Sequence, residues 1–116
     1  CKAGLLWDKT RNKKAMLGWN VEIKNDVFNA GKNKVMFSLF DSNGLPLSDA
    51  IVSLTVSRPA TYKYDRDYSS IKIKDNIYIA NIDLPLYGFW DLIIKVTRNE
   101  HNINFKKRIY AEKEKT

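Results

Sequence analysis

Between Trp19 and Tyr110 the chain alternates apolar and polar residues in short runs. A period of two belongs to a strand with one dry face and one wet face, and a helix cannot use it. In "WNVEIKN" Trp19, Val21 and Ile23 share one side, with Asn20, Glu22 and Lys24 on the other. "KVMFSLFD" groups Val35, Phe37 and Leu39 and leaves Met36 outward, and "AIVSLTVS" groups Ala50, Val52, Leu54 and Val56. "SIKIK" alternates Ile71 and Ile73 with lysines. "IYIANIDL" turns Tyr78, Ala80 and Ile82 inward, because Asn81 and Asp83 prefer water. "FWDLIIKVT" sets Trp90, Leu92, Ile94 and Val96 against Asp91, Ile93 and Lys95, and "INFKKRIY" closes the series with Ile103, Phe105 and Ile109.

Turn chemistry separates these runs. "DSNG" followed by Leu45 and Pro46 supplies Asp41 and Asn43 for turn conformations and Gly44 for positive φ. Pro59 in "RPAT" cannot donate to a central ladder. Asp75-Asn76, "PLYG" with Pro85 and Gly88, and "RNEHN" mark three more corners. "DVFNAGKN" and "YKYDRDYSS" lack clean alternation and read as loops. Seven short strands of this kind predict an all-β fold, an immunoglobulin-like antiparallel sandwich over residues 19–111. Residues 1–18 read as a short amphipathic helix or irregular arm ended by Gly18, and 112–116 as a polar tail. At 116 residues the chain is one domain by length.

The side chains that carry chemistry are sparse. His101 stands alone in a turn, where a histidine is ordinarily solvated, and one histidine cannot build the usual zinc site. Met16, Met36, Cys1 and His101 are scattered, without the clustered soft ligands that copper prefers. Asp65, Asp67, Asp83 and Asp91 have no spacing that forces two carboxylates together, as acid–base catalysis requires. Phosphate-cradling glycine loops and the common nucleophile motifs do not occur. The chain reads as a non-enzyme with no cofactor. Trp90 then points into the core and Asp91 outward, so the Trp-Asp pair is a packing signature and not an active site.

There are 20 Lys and Arg against 13 Asp and Glu, a net charge of +7. That balance favours acidic partners, anionic lipid or nucleic acid, and a lysine-rich proteome would give the same number. "YKYDRDY" and "FKKRIY" mix aromatics with base, yet acids interrupt the first, and lysines on the second suit a protected sheet edge. Nucleic acid is therefore not expected as a partner. Cys1 allows three readings: an acylated lipoprotein cysteine, an added residue, or the first residue after a removed membrane segment.

Several local features follow in one order: "AMLGWNV" with Trp19, then "FDSNGLPLSDAIVSL" with Asp41, Gly44, Pro46 and Ala50. "SRPAT" with Pro59, Tyr78 in a Y-x-A strand, and "GFWDLIIKV" with Gly88, Trp90, Asp91 and Leu92 complete it. In this order, from Trp7 to Tyr110, the chain resembles the FixH family, also called CcoH, encoded with the FixGHIS assembly set. The resemblance implies one N-terminal membrane helix followed by an immunoglobulin-like domain in the periplasm. It implies an inner-membrane protein that helps mature cbb-type cytochrome c oxidase through protein contacts and not by catalysis. Oxidase subunits or the copper-transporting ATPase of the set are the implied partners. Cys1 would then sit just outside the membrane helix. The arm is more basic here than is usual in that family, and Trp7, Asp8, Lys13 and Lys14 are its candidate contact residues. The alternative is a periplasmic copper carrier similar to the YtkA-like sandwich domains, in which Cys1, Met16, Met36 and His101 would have to converge.

Overall fold

A computed structural model describes residues 17–114. The expected arm, with Trp7, Asp8, Lys13 and Lys14, lies outside the described residues apart from Leu17 and Gly18.

Nine strands follow in order: β1 (Asn20–Ile23), β2 (Phe28–Asn29), β3 (Gly31–Phe40), β4 (Ile51–Arg58), β5 (Thr61–Tyr68), β6 (Lys72–Lys74), β7 (Ile77–Leu84), β8 (Gly88–Arg98) and β9 (His101–Glu112). They form two sheets, one ordered β1-β3-β7-β6 and the other β2-β9-β8-β4-β5. This is the immunoglobulin layout of a four-stranded sheet facing a sheet built on a central hairpin, extended here by β5. All pairings are antiparallel except β2 with β9, which is parallel.

The alternation read from the sequence sets the core. Val35, Phe37 and Leu39 of β3, Tyr78, Ala80 and Ile82 of β7, and Val52, Leu54 and Val56 of β4 are buried between the sheets. Trp90, Leu92, Ile94 and Val96 of β8 are almost wholly buried, because β8 is the central strand of its sheet, paired with β4 on one side and β9 on the other. Ile23, Ala50 and Ile109 pack against this core from its margin. Tyr78 stacks on Phe37 at 5.5 Å and donates from its hydroxyl to the Leu47 carbonyl at 2.6 Å. Burial pushes the Tyr78 phenol above its ordinary pKa.

Two stretches expected as loops contain strands. "DVFNAGKN" holds β2 and leads directly into β3. "YKYDRDYSS" holds β5, an edge strand paired only with β4. Its alternation is one of chemistry and not of hydrophobicity. Tyr64 and Tyr68 lean on the core margin, while Thr55 donates to Asp67 at 2.6 Å on the outer face. An edge strand with little to bury can be polar on both sides, so an apolar period does not reveal it.

The turns behave as their residues predict. Asp41 Oδ1 accepts from the Asn43 and Leu45 amides at 2.8 and 3.0 Å, Gly44 has φ +80°, and Pro46 bridges to Phe40. Asp75 and Asn76 both take positive φ, at 52° and 65°, which is the geometry that joins β6 to β7 by a two-residue hairpin.

Candidate functional site

The described chain enters beside Trp19 and Asn20, where Asn20 pairs with Phe40 and Trp19 meets His101 edge-on at 6.2 Å. β8 starts at the opposite end. It runs 11 residues, and at roughly 3.3 Å per residue its ends stand about 33 Å apart. The far end gathers the β4–β5 turn with Pro59, the Pro85–Tyr87 corner and the close of β9.

Gly88 makes that corner possible. Its φ is +112°, and a Cβ there would stand 3.0 Å from Arg58 Nη1. Arg58 fills the space, donating to the carbonyls of Tyr87 and Phe89 at 3.0 and 3.1 Å. Its guanidinium also lies over the Trp90 ring at 5.1 Å. One cation thus ties β4 to the corner and roofs the largest fully buried side chain. Trp90 donates from Nε1 to the Leu86 carbonyl at 2.9 Å, and Tyr64 of β5 meets its ring edge-on at 6.3 Å. Arg58 was not foreseen; "SRPAT" drew notice for its proline, and only the register of β4 against β8 brings the arginine to Trp90.

The alternation that buries Trp90 turns Phe89 outward, 56% exposed, against its cross-strand partner Tyr110 at 5.0 Å. Tyr87 is 53% exposed beneath the Lys113 ammonium at 5.5 Å. Leu86 and Tyr62 are exposed at the same end. An open hollow of about 610 Å³ lies between the β4–β5 turn and the corner, walled by Pro59, Thr61, Tyr87 and Phe89. Exposed aromatics gathered at one end of a small domain, with cations among them, have the composition of a protein-contact surface.

Asp91 corrects one expectation. It does face away from the core, but it is only 4% exposed. Arg108, directly opposite on β9, donates from Nε and Nη2 at 3.0 and 3.3 Å, and Lys106 stands at 3.8 Å. These cations form a single covering layer over the carboxylate. The hydrogen bond from Arg108 holds the Asp91 carboxyl below its ordinary pKa, and the same bond raises the arginine. At the other end of β8, Arg98 bonds Asp49 at 2.8 Å and lowers that carboxyl too.

The remaining candidates separate. His101 is not a solvated turn residue; it opens β9 against Trp19, and its Nδ1 is out of water without a hydrogen-bond partner. Met36 belongs to β3 in the other sheet, and Cys1 and Met16 lie outside the described residues. Among the described residues no three His, Cys, Asp or Glu side chains cluster as a metal site would need. Of the carboxylates, Asp67 is held by Thr55, Asp91 by Arg108, and Asp83 lines a cleft with Lys32 and Lys34.

The fold and this surface define a small immunoglobulin-like module with exposed aromatic rings gathered at one end. The FixH family profile matches residues 2–110, nearly the whole chain, and the protein belongs to the FixH family. No curated protein and no solved structure matches the chain.

Proposed function

We propose that this FixH-family domain is a non-catalytic, membrane-tethered module on the periplasmic side of the inner membrane. It assists maturation of cbb-type cytochrome c oxidase through contacts with oxidase subunits or the copper-transporting ATPase of the assembly set. Family membership supplies the context. The observation that carries the contact role is the exposed cluster of Tyr87, Phe89 and Tyr110, at the end opposite Trp19 where the described chain enters. A domain tethered through its N-terminal side would hold those rings out from the membrane. Among the described residues no helix is long and apolar enough to cross a membrane; the tether in this proposal is the N-terminal membrane helix that the family resemblance implies.

The test is made in a bacterium that depends on this protein for its oxidase. Replacing Tyr87 and Phe89 together by serine is expected to lower mature oxidase in low-oxygen membranes several-fold while the domain keeps its melting temperature, since both rings are more than half exposed. Normal oxidase after clean deletion of the gene refutes the assembly role. Normal oxidase in the double variant, with the deletion defective, refutes the aromatic end as the contact.

A further inference from the structure

A second surface lies away from the aromatic end. On the outer face of the four-stranded sheet Lys32 pairs across with Asp83, and Lys34 with Asn81. β6 is too short to follow β7 this far; its pairing stops at Lys72 with Ile79. The far half of β7 is flanked instead by β5 from the other sheet, where the Asp83 amide donates to the Tyr68 hydroxyl at 3.0 Å. Arg66 lies over the Tyr68 ring at 5.6 Å. The result is a cleft of about 470 Å³ lined by Lys32, Lys34, Arg66, Tyr68, Asn81 and Asp83. That volume falls in the range of ligand sites, roughly 300–1,000 Å³.

The cleft holds three cations and one carboxylate. Among the described residues none of Lys32, Lys34 and Arg66 has a carboxylate within ion-pair distance, whereas Arg58, Arg98 and Arg108 are each engaged by the fold. Two of the cations come from β3 and the third, Arg66, from β5 of the other sheet. Lys32 and Lys34 leave the same strand on the same face, roughly 6.7 Å apart by strand geometry. A single phosphate is ordinarily held by donors that converge on one point, such as a helix N-terminus or a nest of backbone amides. An extended acidic chain repeats its same-face side chains at the spacing of the two lysines.

We propose that this cleft binds an extended acidic segment of a partner protein, with carboxylates at alternate positions. Two carboxylates meet Lys32 and Lys34, Arg66 takes one in a forked pair, and Asn81 bonds the peptide. The chain's net charge of +7 steers such a segment in. The proposal does not rest on the oxidase reading.

The experiment titrates the 116-residue chain, ¹⁵N-labelled, with a blocked peptide of alternating glutamate and threonine. A composition-matched peptide with clustered glutamates, inorganic phosphate, and phosphatidylglycerol vesicles are run beside it. The expected result is shift changes at Lys32, Lys34, Arg66 and Asn81, tightest for the alternating peptide and weakened by salt. Lys34→Glu and Arg66→Glu each weaken it about tenfold or more, Arg66→Lys weakens it less, and Lys107→Glu leaves it unchanged. Circular dichroism confirms that each variant is folded. The proposal is overturned if the clustered peptide binds as well as the alternating one, if phosphate or vesicles perturb the cleft at equal or higher affinity, or if the reversals leave peptide binding intact.

Discussion

Trp90→Ala removes the largest side chain that the sandwich buries completely. An aromatic side chain hides about 150–250 Å² on folding. At about 25 cal/mol per Å², roughly 200 Å² gives a gross term of about 5 kcal/mol, an upper bound because the unfolded chain already hides some surface. The Leu86 carbonyl also loses its indole donor, worth about 1 kcal/mol. Measured truncations of this size fall at about 3–5 kcal/mol, and that loss is expected here. Trp90→Phe keeps most of the area and gives up the donor, so its cost is expected at about 1–2 kcal/mol. Urea unfolding at 25 °C followed by far-ultraviolet circular dichroism is the assay, because indole fluorescence changes with the substitution itself. A loss under about 1 kcal/mol for Trp90→Ala, or a phenylalanine variant no more stable than the alanine one, refutes the view that this ring organises the corner.

Gly88→Ala puts a Cβ against the Arg58 guanidinium at a φ of +112°, so a loss of at least about 1 kcal/mol is expected in the same unfolding assay, and Arg58→Ala in the same chain should recover only the steric part. Asp91 titrates lower in the folded chain than in the unfolded one, because of Arg108. Its stabilising effect is therefore fully present above the ordinary carboxylate value near 3.9 and fades as pH falls through the lower folded value. Asp91→Asn is expected to cost about 1 kcal/mol at pH 7, where one partner is half exposed, and the gap to wild type should close on acidification from pH 5 to below pH 3. A gap that widens in acid would mean that the carboxylate is not held by the arginine.

The strands that were legible in the sequence are those whose two faces meet different media. Trp90, Leu92, Ile94 and Val96 announce β8 because they alternate with Phe89 and Lys95, which face solvent, and with the charged Asp91. β5 went unread because it buries little more than Tyr64 and Tyr68, so its apolar period is too weak to register. The same limit hid the two surfaces. Arg58 meets Trp90 only through the register of β4 against β8, and Arg66 comes to line one cleft with Lys32 and Lys34 only where the edge of one sheet lies against the other; nothing in the local sequence around "SRPAT" or "YKYDRDY" encodes either. Asp91 was placed on the correct face but given the wrong surroundings. Alternation states where a side chain points, and burial there depends on Arg108 and Lys106 lying across it from β9.

The stretch from Gly88 to Val96 serves two ends through one alternation. Trp90 points in and holds the corner with Arg58; Phe89, its neighbour, points out and meets Tyr110. Strand geometry makes these roles separable, because successive side chains on β8 never share a face. Changes at Trp90 should act through stability and lower every property of the domain together. Changes at Phe89 and Tyr87 leave the dry side intact and should act on contact alone. A variant of Phe89 that lost oxidase maturation only in proportion to lost folded protein would show that the outer rings do no more than pack, and the contact surface would then have to be sought elsewhere on the sandwich.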